Sequence, residues 1–223
     1  MLSSALGLVS GPLKNMLDQL CGQKNELWLE IYGLMSRMTP ENILKALKGA
    51  VLKPWKKLSI GGHTKEELLE QFKMATCKVG NEESIGIQVT EDAYYIASKP
   101  ECMFSEKEDH VEFFMESLEV LFGFEEDVDA KVFLNEAFLS LYNLELCKPS
   151  DAFYIRRSID NQPSGEWLRV GMTPIVDSSG YSKVFSVEHD DDTDYGVCVS
   201  TDCTDDEFYP GSVWFFRRKK TQA

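Results

Sequence analysis

The sequence has none of the short patterns that identify a cofactor or metal site. Its six cysteines are widely separated and form no C-x-x-C pair, so a zinc ribbon or zinc finger is not expected. It contains neither G-x-x-x-x-G-K-[ST] nor G-x-G-x-x-G, the glycine patterns that hold nucleotide phosphates. We therefore predict no cofactor and no metal. An acidic run at 190–194 resembles the start of a calcium loop, but Tyr195 and Thr201 replace that loop's glycine and glutamate.

Residues for nucleophilic catalysis are also scarce. The chain has three histidines, His63, His110 and His189, and no G-x-S-x-G elbow. The sequence therefore favours a protein without catalytic activity. Aspartate and glutamate are abundant throughout, so a small hydrolase or transferase with a carboxylate-based site stays an alternative.

Long apolar runs are missing as well. No stretch approaches the roughly 20 apolar residues that span a bilayer, so we predict no membrane association. The N-terminal MLSSALGLVSGPLK has no basic residue ahead of its short apolar run, unlike a secretory signal. These features predict a cytoplasmic protein with reduced thiols.

What the chain does have is enough apolar sequence for a core and a strong acidic bias. It has 223 residues, of which 43% are hydrophobic, and a formal net charge of −14. The charge is uneven: residues 1–60 carry +4, residues 61–147 carry −14 and residues 148–223 carry −4. An acidic middle repels phosphate backbones, so general nucleic-acid binding is not expected. The acidic segment fits either a solvated surface or a docking surface for a basic partner.

Periodicity divides the chain into three segments and predicts an α+β fold. Residues 1–53 show apolar stripes at helical spacing and predict a helical N-terminal unit. Residues 54–147 predict an acidic α/β segment. Its predicted elements are a strand at 55–60, a helix from Thr64 with a capping box to Glu67, weak strands at 85–89 and 93–97, a buried strand that runs into a turn at 111–124, and a helix at 130–143.

Residues 148–223 predict a C-terminal module of five antiparallel strands, arranged as a sheet or a small open barrel. The predicted strands are 153–158, 166–172, 183–188, 195–200 and 212–218, separated by turn residues. Alternation along these strands predicts a buried set of side chains, namely Ile155, Trp167, Phe185, Val187, Val199 and Trp214.

Four residues of this module form the candidate binding surface: Arg156, Glu166, Trp167 and Arg169. Arginine beside an exposed aromatic ring is a common surface for planar or anionic ligands. The alternative is an arginine on the outer face of the sheet with the tryptophan packed inward.

The C-terminal half also resembles a known family. From residue 144 it reads LELCKPSDAFYIRRSIDNQPSGEWL, followed by M-x-P-I-x-D-S-x-G at 172–180 and V-F-x-V-E at 184–188. This is similar to an uncharacterised protein family of candidate-phylum bacteria, whose C-terminal part carries L-E-L-C, Q-P-x-G-E-W-L and the same two later patterns. W-L-E at 28–30 and W-K at 55–56 extend the resemblance, whereas residues 77–125 match poorly. The resemblance implies a shared fold and a bacterial source, and it supplies no activity, ligand or catalytic residue.

Together these observations predict a non-enzymatic binding or protein-interaction module that recognises a protein partner or associates with itself. A self-assembling structural protein is a further alternative, in which the basic N-terminal segment of one chain meets the acidic middle of its neighbour.

Overall fold

A nine-stranded mixed sheet organises the part of the chain that the structure, a computed structural model, describes: residues 53–104, 107–190 and 196–219. The predicted helical unit at 1–53 lies outside these ranges except for its last residue, as does most of the calcium-loop hypothesis at 190–194. All the described residues belong to one compact unit.

Thirteen strands and six helices lie in these ranges. The strands are β1 (Lys56–Ile60), β2 (Thr76–Val79), β3 (Glu82–Gly86), β4 (Gln88–Val89), β5 (Asp109–Ser117), β6 (Val128–Asp129), β7 (Leu144–Glu145), β8 (Glu166–Val170), β9 (Ile175–Val176), β10 (Ser182–Asp190), β11 (Gly196–Cys203), β12 (Glu207–Phe208) and β13 (Val213–Arg218). The helices are α1 (Lys65–Phe72), α2 (Glu91–Ser98), α3 (Leu118–Phe122), α4 (Ala130–Phe133), α5 (Glu136–Leu141) and α6 (Asp151–Arg156).

The prediction of a separate five-stranded antiparallel C-terminal sheet or open barrel is wrong. The main sheet runs in the order β1-β5-β13-β8-β10-β11-β4, with β7 added to β13 and β9 to β10. Strands from the central segment therefore extend the sheet on both sides, and the β13–β8 and β11–β4 pairings are parallel. The physical reason lies in β13, whose residues 214–217 are all buried, so the strand requires a neighbour on each edge and cover on each face.

Helix-capping residues explain the outcome of three predictions, namely the capping box at Thr64, the strand at 93–97 and the helix at 130–143. The capping box is confirmed: Thr64 accepts from the amide of Glu67, whose carboxylate accepts from the amide of Thr64. The predicted strand at 93–97 is wrong because α2 occupies it, capped by the hydroxyl of Thr90. The predicted helix at 130–143 is divided in two, since Asn135 caps a new helix, α5.

The predicted strand at 153–158 is also wrong, because α6 covers most of it. Phe153 and Ile155 alternate as strand residues would, yet both are fully buried on a helix. A long-range ion pair holds this helix: Asp151, its first residue, accepts from Nε and Nη2 of Arg217 on β13 at 2.5 and 2.6 Å. The Asp151 side chain is 0% exposed and that of Arg217 is 4% exposed.

The register gives the main sheet two differently packed faces. Paired residues on adjacent strands point to the same side, so we call the side with Trp167, Arg169 and Trp214 the front face and the opposite side the back face. On the back face, Phe153 of α6 packs against Phe185 with ring centroids 5.5 Å apart.

Helices α3 to α5 and strand β12 cover the β5–β13 half of the front face with aromatic side chains. Trp214 lies 4.9 Å from Phe133 and 5.0 Å from Phe208, and Phe122 lies 5.6 Å from Phe216, measured between ring centroids. Such edge-to-face pairs each contribute about 0.5–1.5 kcal/mol beyond area burial. This packing leaves the β8–β10–β11 part of the front face to polar side chains.

Candidate functional site

A polar group of side chains crosses the front face beside the aromatic core. Arg169, Ser186 and Ser200 occupy adjacent positions on β8, β10 and β11. One pleat further along, Trp167 lies opposite Glu188. Ser186 is fully buried, whereas Trp167 is 49% exposed. The prediction that Trp167 packs inward is therefore wrong, while the other five residues of the predicted core are confirmed as buried.

Trp167 and Glu188 face each other at the closest type of sheet position. The amide of Gly171 donates to the carbonyl of Phe215 on β13. Because backbone direction alternates along a strand, the amide and carbonyl of Trp167 also point toward β13 and away from β10. Trp167 and Glu188 thus form a non-hydrogen-bonded pair, in which the Cβ atoms lie about 4.5–5.5 Å apart.

The positive charge of Arg169 is already neutralised. Nε of Arg169 donates to Oδ2 of Asp202 at 2.5 Å, and the two side chains are 12% and 24% exposed. The Arg169 guanidinium also lies over the ring of Phe208, with its Cζ atom 5.1 Å from the centroid. Arg169 therefore connects β8 to Asp202 of β11 and to Phe208 of β12, and it is poorly placed to bind an anion.

Glu188 is the charged group of this cluster that has no arginine or lysine partner among the described residues. Its Oε1 accepts from the hydroxyl of Ser186 at 2.5 Å. Burial raises the pKa of Glu188; the charge of Asp202 raises it further, while Arg169 and the hydroxyls of Ser186 and Ser200 lower it. A half-buried carboxylate next to an exposed indole ring is the main electrostatic feature of the face.

The other two predicted site residues belong to the back face. Arg156 is fully buried and donates to the side chain of Gln162 and to the carbonyl of Ile159. Its Nε has no hydrogen-bond partner within the described part of the protein. Glu166 on β8 lies opposite His189 on β10 in the strand register, and burial raises the pKa of Glu166. The structure thus brings Trp167 and Arg169 together and separates them from Arg156 and Glu166.

The sequence prediction missed four members of the cluster: Ser186, Glu188, Ser200 and Asp202. A signal for them was present, because Ser186 and Glu188 alternate with the apolar Phe185 and Val187 along one strand. Assigning them to the tryptophan face required the register between β8 and β10, which residues far apart in the chain determine.

A second, polar cleft lies at the glycine step before α1. It has a volume of about 490 Å³ and is lined by Ser59, Gly61, Gly62, His63, Glu108, Tyr154, Arg157 and Ser158. Arg157 is held by the side-chain oxygen of Gln71, and an adjoining cleft adds the carboxylates of Glu66, Glu67 and Glu70. Those carboxylates oppose the binding of a phosphate at this helix start.

The described ranges contain neither a metal-holding cluster of side chains nor a helix able to cross a membrane. No group of three or more histidine, cysteine, aspartate or glutamate side chains there is arranged to hold a metal ion. No helix of the described residues combines the length and apolar character needed to cross a bilayer.

The fold is that of a mixed α/β protein, and its sheet presents a half-exposed tryptophan beside a carboxylate whose hydrogen-bond partners are hydroxyl groups. Comparison with protein-family models, curated proteins and solved structures finds no match to this chain. The resemblance to a bacterial family described above stays a prediction.

Proposed function

We propose that this chain is a non-enzymatic protein-interaction module that binds a partner through the front face around Trp167. The observation that carries the proposal is the exposure of this indole ring on a sheet face whose neighbouring polar side chains are held in fixed positions. Trp167 is 49% exposed, while Ser186 and Trp214, which lie opposite Arg169 on the two neighbouring strands, are fully buried. Its flanking side chains are thus ordered before any partner arrives.

Such an arrangement suits protein recognition for two reasons. Tryptophan is among the residues that contribute most to binding energy at protein interfaces, with losses of about 2 kcal/mol or more on truncation. Placement on a strand in the middle of a sheet also keeps the entropy cost of binding low. We keep the cytoplasm as the proposed compartment, which the buried free thiols of Cys77, Cys102, Cys147 and Cys198 support.

A phage-displayed random peptide library selected on the intact protein tests this proposal. We expect the enriched peptides to bind Trp167→Ala about 30-fold more weakly than the wild-type protein, which corresponds to about 2 kcal/mol. Tyr209→Ala is the matched control, because Tyr209 is a 59% exposed aromatic residue outside the cluster.

Thermal unfolding of both variants verifies that each is folded. Peptides that bind Trp167→Ala as tightly as the wild-type protein, or a selection that enriches no binder, would refute the proposed function.

A further inference from the structure

The charges on the front face define the chemistry of a ligand for Trp167. Arg169 is paired with Asp202 and covered by Phe208, and the described residues of β8, β10 and β11 place no other arginine or lysine on the front face. Glu188 is left with hydroxyl partners only, in a half-buried position where water solvates it incompletely. Arg169, Asp202 and Glu188 together therefore carry one excess negative charge, and this charge is located beside the exposed indole.

A carboxylate next to an indole ring selects a cation. The face of an indole attracts a guanidinium or ammonium group through its quadrupole, by about 0.5–1 kcal/mol at exposed sites and more when water is excluded. A carboxylate attracts the same cation and accepts its N–H groups. Both surfaces repel an anion, so the anionic option among the planar or anionic ligands predicted from the sequence is disfavoured.

We propose that Trp167 and Glu188 form a docking position for an arginine side chain on a basic peptide segment of a partner protein. This inference rests on the function proposed above and specifies the partner of the same site. Arginine fits better than lysine because its planar guanidinium can stack on the indole while one edge donates to the Glu188 carboxylate. The net charge of −14 on the chain also favours the approach of a basic segment.

The test uses the intact protein and two pentapeptides, acetyl-Gly-Ser-Arg-Ser-Gly-amide and the same peptide with citrulline in place of arginine. Citrulline keeps the shape of arginine and removes its charge. Binding is followed by the NMR signal of the Trp167 indole N–H, which is assigned by its loss in Trp167→Phe. We expect a saturable shift with the arginine peptide and none with the citrulline peptide.

Two matched variants separate a specific site from general acidity. Glu188→Gln should lower the affinity for the arginine peptide about 10-fold, because one short-range charge contact is lost. Glu116→Gln removes the same charge from an exposed position on the front face, opposite Trp214, and should leave the affinity within about twofold. The affinity of the wild-type protein should also fall as acid protonates Glu188, a pH dependence that Glu188→Gln should lack.

Equal binding of the citrulline peptide, equal effects of the two glutamine variants, or no saturable shift would each overturn the arginine proposal. The two proposals also fail separately. Library peptides that depend on Trp167 but contain no arginine or lysine would overturn the arginine site and leave the interaction function standing. An arginine-specific shift without any Trp167-dependent library peptide would overturn the interaction function and leave the arginine site standing.

Discussion

Replacing Asp151 with asparagine should leave the guanidinium of Arg217 buried without a counter-charge. The pair is bidentate, with donor–acceptor distances of 2.5 and 2.6 Å. Both side chains are almost completely buried, at 0% and 4% exposure. Removal of one partner from such a pair costs about 3–5 kcal/mol, because the remaining charge loses its solvation without compensation. The free energy of unfolding should fall by that amount in Asp151→Asn.

Urea unfolding followed by circular dichroism measures this loss. For a protein of this size, about 1 kcal/mol corresponds to a shift of about 2–4 °C in the melting temperature, so Tm should fall by about 6–20 °C. The double variant Asp151→Leu/Arg217→Met removes both charges and should recover most of the lost stability, because apolar replacements of a buried pair are often neutral.

The neighbouring arginine provides the control. Arg218 forms a 2.7 Å pair with Glu112 in which the two side chains are 36% and 38% exposed. Arg218→Met should therefore cost less than about 1 kcal/mol. A loss below about 1 kcal/mol for Asp151→Asn, or a double variant as unstable as the sum of the two single variants, would refute the reasoning.

Three further predictions concern other parts of the fold. Burial raises the pKa of Glu188 above its usual value of 4.5, so this group stabilises the folded state at low pH and loses that contribution as the pH rises. The stability of Glu188→Gln relative to the wild type, measured by urea titration, should therefore increase from acid to neutral pH. A difference that stays constant with pH would contradict this prediction. Gly171→Ala should cost about 1–3 kcal/mol in the same assay, because its Cβ would collide with the buried ring of Phe216, whereas Gly86→Ala meets open space and should cost less. Iodoacetamide should label Cys203, which is half-buried, before the four buried described cysteines, as read by peptide mass spectrometry, and equal rates would contradict the packing. Burial raises the pKa to about 11 in Cys102 and to about 12 in Cys198.

The predictions that succeeded depend on short-range signals. Thr64 and Glu67 are three residues apart, so the sequence itself contains the whole capping box. The helix at Asp151 shows the opposite case, because its alternating apolar residues imitate a strand and its ion-pair partner lies 66 residues away. Local periodicity contains no information about such a partner, and tertiary packing decided the outcome.

The candidate site was predictable to a similar extent. Trp167 and Arg169 are two residues apart on a predicted strand, so their shared face follows from the sequence. Their partners do not: Asp202 lies 33 residues beyond Arg169, and it changes that arginine from a ligand-binding group into a structural one. The exposure of Trp167 depends on where the aromatic cover of α3 to α5 ends, which only the assembled sheet shows.

The position of β13 has a consequence for the synthesis of this protein. This strand lies between β5 and β8, and it is the last of the described strands to leave the ribosome. Until residues 213–218 emerge, β5 and β8 each present an open edge with unpaired amides and carbonyls, a state that is prone to aggregation. The two halves of the main sheet can therefore join only after nearly all of the described chain has been made, so early release of the nascent chain would leave a product that cannot complete its core.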